Sequence, residues 1–443
     1  MKVNVGQDLY LKGRIGWKGL AKSEYLEKSG YRIINGYSLK DGYIDWKIAG
    51  YISQERYEES PEIKLEINDI LISKDGTIGK VGIVRKLEIP STVASGIFVL
   101  RNIVEDWLDT EYLFQFLKSS NFKNFINRVK AEGSTINHLY QRDLVRLEID
   151  IPDIIEQKRI SKVLKNIDDK IEVNNKINAE LEAMAKTIYD YWFVQFDFPD
   201  ANGKPYKSSG GNMVHNEELK REIPEDWEKG VLDDIAKIVR GVSYNKHDIK
   251  TPNDDGVTPV LRATNITGNI IDLENMVYVP DEFVSEKQLM NKYDVLITMS
   301  SGSKNHIGKN GLFYFKTKVA FGAFCAKLEA KEDFQFYLSS YMQSAFVSET
   351  IKKECLGTSI NNLNGSLVKG FRLVKPNEQV LKSFNKKMKP IHDKIGNNHK
   401  ENQKLAALRD WLLPMLMNGQ VTVGEAKGEL GMVGEDNTKY GDV

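Results

Sequence analysis

The chain has 443 residues, and its 62 lysines and arginines are balanced by 62 aspartates and glutamates. A single hydrophobic core stops growing at roughly 250–300 residues, so the length predicts at least two domains. Hydrophobic residues make up 41% of the chain and charged residues 28%, which excludes disorder over the whole length. Because the net charge is near zero, any attraction to nucleic acid has to come from local clusters of charge.

The sequence carries no pattern typical of export, membrane insertion or disulfide formation. The stretch Met1–Asp8 contains no apolar run of signal-peptide length, and no segment approaches the ~18–20 apolar residues of a membrane span. The cysteines Cys325 and Cys355 lie thirty residues apart and form neither a disulfide framework nor a zinc motif. We therefore expect a cytoplasmic protein with two structural thiols.

Internal repetition is the most informative feature of the sequence. The run Gly133–Asn137 (Gly-Ser-Thr-Ile-Asn) recurs as Gly357–Asn361 (Gly-Thr-Ser-Ile-Asn), at an offset of 224 in the numbering. Asp169–Ile171 recurs as Asp393–Ile395 at the same offset. The chain is therefore predicted to be a tandem repeat.

Each copy has the same order of predicted elements: a strand-rich region, a Gly-Ser/Thr loop and a long helix. In the strand-rich region, Asp69–Ile72 resembles Asp294–Ile297 at an offset of 225. Short β-branched and aromatic runs cut by glycine, such as 80–84 and 311–315, predict strands, and shorter helical stretches follow them. We expect two mixed α/β globular domains within an α+β chain.

The long helices are predicted from apolar residues that recur in alternating steps of four and three, the seam of a coiled coil over about five heptads. The first seam is Ile160, Leu164, Ile167, Ile171, Asn174, Asn178, Leu181, Ala185, Ile188 and Trp192. The second, at the same offset as the repeated motifs, is Phe384, Met388, Ile391, Ile395, Asn398, Asn402, Leu405, Arg409, Leu412 and Leu416.

Two asparagines interrupt each seam at matching positions. Asn174 and Asn178 correspond to Asn398 and Asn402. Buried amides that pair across two antiparallel helices would fix the register, because a slip would bury an amide against an apolar side chain. Alternatively, the four asparagine side chains reach solvent and do not fix the register of the helices.

Two globular domains joined by two antiparallel helices predict a dumbbell with pseudo-twofold symmetry. A helix of roughly 37 residues spans about 55 Å, or about one and a half turns of B-DNA. A spacer of this length suits a protein that contacts two separated DNA half-sites. It equally suits a coiled-coil scaffold that holds two protein partners and makes little DNA contact of its own.

Local charge favours DNA binding over the scaffold. Residues 73–101 carry a net charge of +3 and residues 296–331 a net charge of +5, beside Gly/Ser loops whose backbone N–H groups can bind phosphate. Polar side chains near these loops and on the Gly-Ser/Thr loops are candidates for contacts with bases. The candidate DNA-binding residues are Lys74, Thr77, Lys80, Ser134, Thr135, Asn137, Arg262, Asn265, Ser303, Lys304, Asn305, His306, Lys309, Thr358, Ser359 and Asn361.

Catalytic motifs are weak. Residues 302–310 resemble a phosphate-binding P-loop but have five residues between the glycines instead of four, and Asn310 follows the lysine where Ser or Thr is required. Asp200, Glu218 and Lys220 fit the loose pattern of a metal-dependent nuclease, yet they lie in a polar linker without a strand signal. We predict a non-catalytic chain that binds no metal.

The chain resembles the specificity subunits of Type I restriction–modification systems nearly from end to end. The stretches that carry the resemblance are 12–20, Ile151-Pro152 with Glu156-Gln157, Phe196–Pro199, 203–211, Ile223–Trp227 and Leu412–Gly419. The second copy departs from the first where Arg409 occupies the seam position of Ala185, which indicates either a contact with a partner or a helix end.

The resemblance implies two target recognition domains, each of which binds one half of a bipartite site in double-stranded DNA. It implies that the helices set the spacer and dock two modification subunits, to which restriction subunits are added, in the prokaryotic cytoplasm. Those partners are implied to use S-adenosylmethionine for adenine methylation and ATP with Mg²⁺ for cleavage, while this chain has no cofactor. A related system with fused methylation and cleavage activities is the nearest variant.

The repeat and the resemblance together predict the domain boundaries. They are a first target recognition domain at 1–152, a central helix at 153–196, a linker at 197–227, a second target recognition domain at 228–376, a second helix at 377–418 and a flexible tail at 419–443.

Overall fold

A computed structural model describes residues 1–14, 19–40, 42–132, 138–302, 306–356, 362–421 and 423–424. The chain forms two compact units. Unit 1 comprises Met1–Val173 with Glu401–Val443, and unit 2 comprises Asn174–Lys400. Each unit includes part of both long helices. This division therefore does not test the predicted boundaries between domains and helices, which remain a prediction.

Unit 1 is built on a four-stranded antiparallel sheet. Its strands are, in spatial order, Leu9–Gly13, Ile97–Asn102, Ile70–Ser73 and Val81–Ile83. A second sheet contains Gly50–Ile52, Tyr31–Ile34 and Ser91–Val93, the last two parallel, and two strand pairs are Lys2–Asn4 with Glu148–Asp150 and Leu39–Lys40 with Tyr43–Ile44. The shorter helices are Val5–Asp8, Lys22–Glu24, Gln54–Glu58, Pro61–Ile63, Thr110–Lys118, Ser120–Glu132 and Gln141–Leu144.

The strand Ile70–Ser73, inside the four-stranded sheet, shows how that sheet packs in the core of unit 1. All four residues are buried. Ile70 and Ile72 belong to a core cluster with Leu113, while Leu71 belongs to a different cluster with Val93. The strand is therefore covered on both faces, which is why its first three residues are all apolar and do not alternate with polar ones.

Unit 2 repeats this plan. Its six-stranded sheet has the spatial order Ala236–Arg240, Cys325–Ala330, Val295–Thr298, Asn310–Leu312, Ile270–Ile271 and Ile266–Thr267. A three-stranded sheet contains Val277–Pro280, Val257–Leu261 and Ala320–Phe321, and the two strand pairs are Glu228–Val231 with Arg372–Lys375 and Met213–Asn216 with Arg221–Pro224. The shorter helices are Asp190–Val194, Lys207–Ser209, Leu232–Ile235, Lys246–Asp248, Ala263–Asn265, Asp281–Phe283, Glu286–Gln288, Gln335–Met342, Ala345–Leu356 and Gly365–Lys369.

The predicted fold class is confirmed, because a mixed helix-and-sheet architecture occurs in two tandem copies. The buried strand Val295–Thr298 has the same role in unit 2 as Ile70–Ser73 in unit 1. In both units the three-stranded sheet contains one parallel pair. The copies therefore share a strand arrangement as well as short sequence motifs.

The two long helices are Ile154–Tyr189 and Glu378–Met417. In unit 1, Lys170 contacts Glu401 at 3.5 Å and Asp168 contacts Arg409 at 3.2 Å. Residue numbers fall along one helix as they rise along the other, so the helices run antiparallel in this unit. Arg409 interrupts the apolar seam because its guanidinium binds the carboxylate of Asp168.

Unit 2 has the same antiparallel pairing. The rings of Trp192 and Phe384 lie 5.6 Å apart, and Asn178 pairs with Asn398. Asn174, Asn178 and Asn398 are each at most 3% exposed, so the alternative in which these side chains reach solvent is wrong for all three. Asn402, which belongs to unit 1, is half-buried.

The segment after the first long helix is folded, which the sequence did not indicate. Phe198 stacks on Tyr206 at 4.6 Å and on Trp227 at 4.9 Å between ring centres. The expectation of no strands here was wrong: Met213–Asn216 and Arg221–Pro224 form a hairpin. Four of their eight residues are exposed and only two are buried, so an alternation of buried and exposed residues is hard to see in the sequence.

Within the described part of the chain, no helix combines the length and the apolar character that crossing a membrane requires.

Candidate nucleic-acid interface

In unit 1 the candidate site begins where the central buried strand ends. The backbone N–H of Ser73 donates to the carbonyl of Lys80 at 2.9 Å, and Gly79 donates back to the carbonyl of Ser73 at 2.9 Å. The Ser73 hydroxyl donates to the carbonyl of Thr77 at 2.6 Å. Gly79 has φ 83°, which favours glycine. These bonds close loop 74–79 and leave Thr77 and Lys80 exposed.

Unit 2 closes its corresponding loop with the same pair of backbone bonds. Thr298 donates to the carbonyl of Lys309 at 2.9 Å, and Gly308 donates to the carbonyl of Thr298 at 2.9 Å. Gly308 has φ 76°, and a Cβ there would lie 2.7 Å from Cδ1 of Ile351. Lys309 is thus the structural counterpart of Lys80, and both lysines are exposed.

Each loop pairs with the described residues that directly follow a Gly-Ser/Thr motif of the sequence repeat. In unit 1, Asp75 forms a β-bridge with His138, and Leu139 donates to the carbonyl of Lys74 at 2.9 Å. These partners directly follow Gly133–Asn137. The structure therefore places the residues that directly follow this repeated motif against the loop that carries Lys74.

The same juxtaposition recurs in unit 2. Ser300 forms a β-bridge with Asn362, and Leu363 donates to the carbonyl of Met299 at 2.7 Å. Nine of the predicted side chains themselves lie outside the described residues. They are Ser134, Thr135, Asn137, Ser303, Lys304, Asn305, Thr358, Ser359 and Asn361.

Most of the positive charge counted in residues 73–101 is neutralised by acidic partners. Arg85 binds Glu111 at 2.5 Å. Lys86 binds Glu88 at 2.7 Å, and Arg101 binds the buried Asp69 at 2.7 Å. The local net charge of +3 therefore overstates the charge available to a ligand.

The two remaining lysines of this cluster differ in their surroundings. The Lys74 ammonium lies 4.8 Å from the centre of the Phe98 ring. Its half-burial lowers the pKa of Lys74, an effect that the charge of Asp75 partly offsets. Lys80 is exposed and has no ion pair among the residues that the structure describes, so it is the better placed of the two to reach a phosphate.

The basic cluster of unit 2 is also partly structural. Lys327 is 1% exposed and contacts Asp294 at 3.4 Å and Glu329 at 3.1 Å. Lys318 binds Asp281 at 3.1 Å. Lys309, by contrast, is exposed and lacks an ion pair within the described ranges.

Arg262 and Asn265 have different environments although they are close in sequence. Asn265 is 3% exposed, and its amide donates to the carbonyls of Asp272 at 3.0 Å and Glu274 at 2.6 Å. Its side-chain oxygen accepts from the N–H of Arg262 at 2.8 Å. Asn265 therefore holds this turn together, while the exposed Arg262 donates to the carbonyl of Asn275 at 2.7 Å.

An open cavity of about 320 Å³ lies beside Arg262 in unit 2. Its wall is formed by residues of the short helix at 263–265, of the segment at 300–302 and of the turn at 322–325, together with Tyr244. His306 is exposed further along the same loop. The sequence did not single out Phe324 at this cavity, because no charge or motif marks it.

The residues of the weak nuclease pattern have other partners. Asp200 accepts hydrogen bonds from the N–H groups of Asn202 and Lys204, each at 2.8 Å, and so caps a turn. Glu218 forms an ion pair with Lys229. Among the described residues, no group of three His, Cys, Asp or Glu side chains is arranged to hold a metal ion.

Comparison with known families identifies the class of protein. A family model described as the Type I restriction modification DNA specificity domain matches residues 17–183 and 224–407. The two matches span most of the chain and follow its tandem organisation, and the chain belongs to this family. It is a specificity subunit of a Type I restriction–modification system, a non-catalytic component with a role in DNA target recognition.

Individual relatives agree with this assignment. The chain is 28% identical over 359 residues to the Type I restriction enzyme MjaIX specificity subunit of Methanocaldococcus jannaschii, covering 80% of this chain and 78% of the relative. It is 24% identical to the HindI specificity subunit of Haemophilus influenzae, covering 70% and 77%. The crystal structure of the Type I system S subunit from M. genitalium shares the fold, with a TM-score of 0.51 and 18% identity over 94% of this chain and 95% of that one.

Proposed function

We propose that the chain recognises a bipartite target in double-stranded DNA, with one half-site bound by the domain of each unit. The observation that carries this proposal is the recurrence of one loop arrangement in both units. Lys80 and Lys309 follow equivalent left-handed glycines and accept equivalent backbone bonds from Ser73 and Thr298. An exposed lysine on a loop rich in backbone N–H groups suits a contact with phosphate, which positions a protein on DNA.

The candidate residues then divide by role. Lys80, Lys309 and Arg262 are exposed cations suited to phosphates or guanine edges. Thr77 and His306 are exposed polar side chains suited to base edges. Lys74 and Asn265 are engaged within their own domains, and we assign them a positioning role.

The spacer between half-sites would be set by the long helices. Ile154–Tyr189 and Glu378–Met417 are uninterrupted over 36 and 40 residues, which corresponds to about 54 and 60 Å at ~1.5 Å per residue. The buried asparagines of the seam support a fixed register. We infer that the helix length, and not the loops, determines the number of base pairs between half-sites.

Docking of the modification subunits is supported by an apolar stripe on the first long helix and on the helical turn Asp190–Val194 that directly follows it. Ile177, Met184 and Tyr191 are 37%, 52% and 40% exposed and follow one another at seven-residue intervals. Side chains seven residues apart lie on one helix face, and apolar side chains there favour a partner protein. The modification subunits would bring S-adenosylmethionine for adenine methylation, and restriction subunits would bring ATP and Mg²⁺, in the prokaryotic cytoplasm.

The stripe can be tested by co-purification with the modification subunit. Met184→Lys should release the partner, while Ala179→Lys, an exposed residue on the other side of the same helix, should not. Equal retention of the partner by both variants would contradict docking on this face.

The decisive test of the function is single-molecule sequencing of adenine methylation in cells that carry the chain with its modification subunit. A methylated two-part motif that is lost when the chain is deleted is the expected result. Methylation of a single uninterrupted motif would contradict the bipartite proposal. Membership of a DNA specificity family favours this function over the coiled-coil scaffold, which predicts that the chain leaves no methylation motif at all.

A further inference from the structure

Phe324 is a large apolar side chain exposed beside the candidate DNA-binding loops of unit 2. It is 69% exposed and forms part of the wall of the 320 Å³ cavity, together with Arg262 and Ser300. Single exposed apolar side chains are common on protein surfaces, so the exposure of Phe324 matters because of its position beside cationic and polar loop residues. The family to which the chain belongs makes DNA the partner to consider.

The backbone under this ring is held by several hydrogen bonds. The carbonyl of Phe324 accepts from the N–H groups of Met299 at 2.8 Å and Ser300 at 3.1 Å. On either side, Gly322 donates to Leu261 at 2.8 Å, and Cys325 donates to Gly322 at 2.9 Å. A side chain on such a fixed turn loses little conformational freedom when it binds.

Unit 1 has the same turn without the ring. Ala94 donates to the carbonyl of Ile34 at 2.8 Å, and Ile97 donates to Ala94 at 3.2 Å. Lys74 donates to the carbonyl of Gly96 at 2.9 Å, as Met299 does to Phe324. Gly96 therefore occupies the position of Phe324, and the two domains differ at one rigidly held site next to their DNA-binding loops.

We propose that Phe324 determines specificity at one base pair of the half-site bound by unit 2, by packing its ring against the 5-methyl group of a thymine. Apolar side chains distinguish thymine in the major groove through this methyl group, the only apolar feature that a base pair presents there. The cavity beside the ring has polar groups, among them Arg262 and Ser300, that suit the remainder of the base edge. This inference rests on the proposed function and adds that the two half-sites are recognised by different chemistry at equivalent positions.

The first test uses the complex with modification subunits in cells and compares the methylation motifs of wild type and Phe324→Ala. One thymine-containing position in one half-site should become degenerate, while the other half-site keeps its sequence. Phe346→Ala, which removes a ring that is 52% exposed and outside the cavity wall, should leave the whole motif unchanged. Because Phe324 is largely exposed, its loss should not unfold the domain, and Phe324→Leu should retain much of the preference.

The second test measures binding of the same complex to duplexes in which single thymines of that half-site are replaced by deoxyuridine. At one position, the replacement removes a methyl contact and should weaken DNA binding by the wild-type complex about fourfold. The same replacement should not weaken binding by the Phe324→Ala complex, which already lacks that contact. A half-site made of G·C pairs alone, an unchanged motif in Phe324→Ala, or equal losses at every thymine would overturn the inference. These outcomes would leave the proposed function intact. A wild-type complex without any sequence preference would contradict the proposed function as well, so the two failures can be told apart.

Discussion

Asn398 donates a hydrogen bond from Nδ2 to Oδ1 of Asn178 at 2.8 Å, and the two side chains are 1% and 3% exposed. Replacing Asn398 alone with leucine leaves a buried amide without this partner. The expected cost is about 1–3 kcal/mol of unfolding free energy. The double change Asn178→Leu with Asn398→Leu should recover most of that cost, because both polar groups are removed.

A double-mutant cycle from denaturant unfolding measures this coupling. The double variant is also expected to lose the unique register, so its methylation motif should show more than one spacer length. Additive effects of the two single changes, with an unchanged spacer, would contradict a register-setting role for this pair.

Asp168 joins both long helices of unit 1 to a neighbouring helix. Its carboxylate contacts Lys118 at 2.6 Å, Gln115 at 3.1 Å and Arg409 at 3.2 Å. Asp168→Asn leaves Lys118 without its ion pair and Arg409 paired with Asp410 alone, and it should cost about 2–3 kcal/mol, less than for a fully buried pair. Asp169→Asn is the matched control, because that carboxylate is 52% exposed and pairs only with Lys165 among the described residues; it should cost less than about 1 kcal/mol.

The same carboxylate predicts a pH dependence. Burial acts to raise the pKa of Asp168, but the charges and hydrogen bonds of Lys118, Gln115 and Arg409 outweigh it and lower the pKa below its usual value. The contribution to folding is therefore fully present above the unfolded-state pKa of about 3.9, and it is lost as the pH falls below that value towards the lowered folded-state pKa. Between pH 6 and pH 3, wild type should lose more unfolding free energy than Asp168→Asn, and parallel pH profiles of the two proteins would contradict this.

Lys80 and Lys309 should each contribute one phosphate contact. Replacing either with alanine should reduce the slope of log affinity against log salt concentration by about 0.9, and the double variant by about twice that. Binding to different sequences should weaken equally, because phosphates carry no sequence information. Lys86→Ala is the control, since that lysine pairs with Glu88 at 2.7 Å, and a slope change as large as that of Lys80→Ala would count against the assignment.

Whether helix length determines the spacer between half-sites can be tested by deleting residues 170–173 together with 403–406. Four residues are about one turn and about 6 Å of helix, so the preferred spacer should shorten by about two base pairs. Deleting four residues at 430–433 should leave the spacer unchanged. The spacer is measured from the methylation motif. A constant spacer in both variants would refute the proposal that helix length sets the distance between half-sites.

The helices were predictable from the sequence because a coiled-coil seam has a strict period. Ile160, Leu164 and Ile167 already show the four-and-three spacing, and no knowledge of distant residues is needed to recognise it. The role of Arg409 was not predictable, because its partner Asp168 lies far away in the sequence, on the other long helix.

The correspondence of Lys80 with Lys309 could not be found by sequence offset alone. The offset of the repeat at Asp69 and Asp294 does not carry Lys80 onto Lys309, because the loop before Lys309 is longer than the loop before Lys80. The backbone bonds to Ser73 and Thr298 reveal the equivalence. Asn265 shows a second limit of prediction from sequence. Its polar side chain near a basic loop made it a candidate for DNA binding, but the residue is buried.

The division of unit 1 between two distant parts of the chain has a consequence for biosynthesis. Leu164 and Ile167 share a core with Leu405 and Leu412, which the ribosome makes only after all of unit 2. At ~5–20 residues per second, the surface of the first helix that packs against Leu405 and Leu412 stays uncovered for roughly 10–50 s. Nascent chains are therefore exposed to aggregation and chaperone binding at this helix, and truncated chains that stop before Glu401 should be cleared faster than full-length protein.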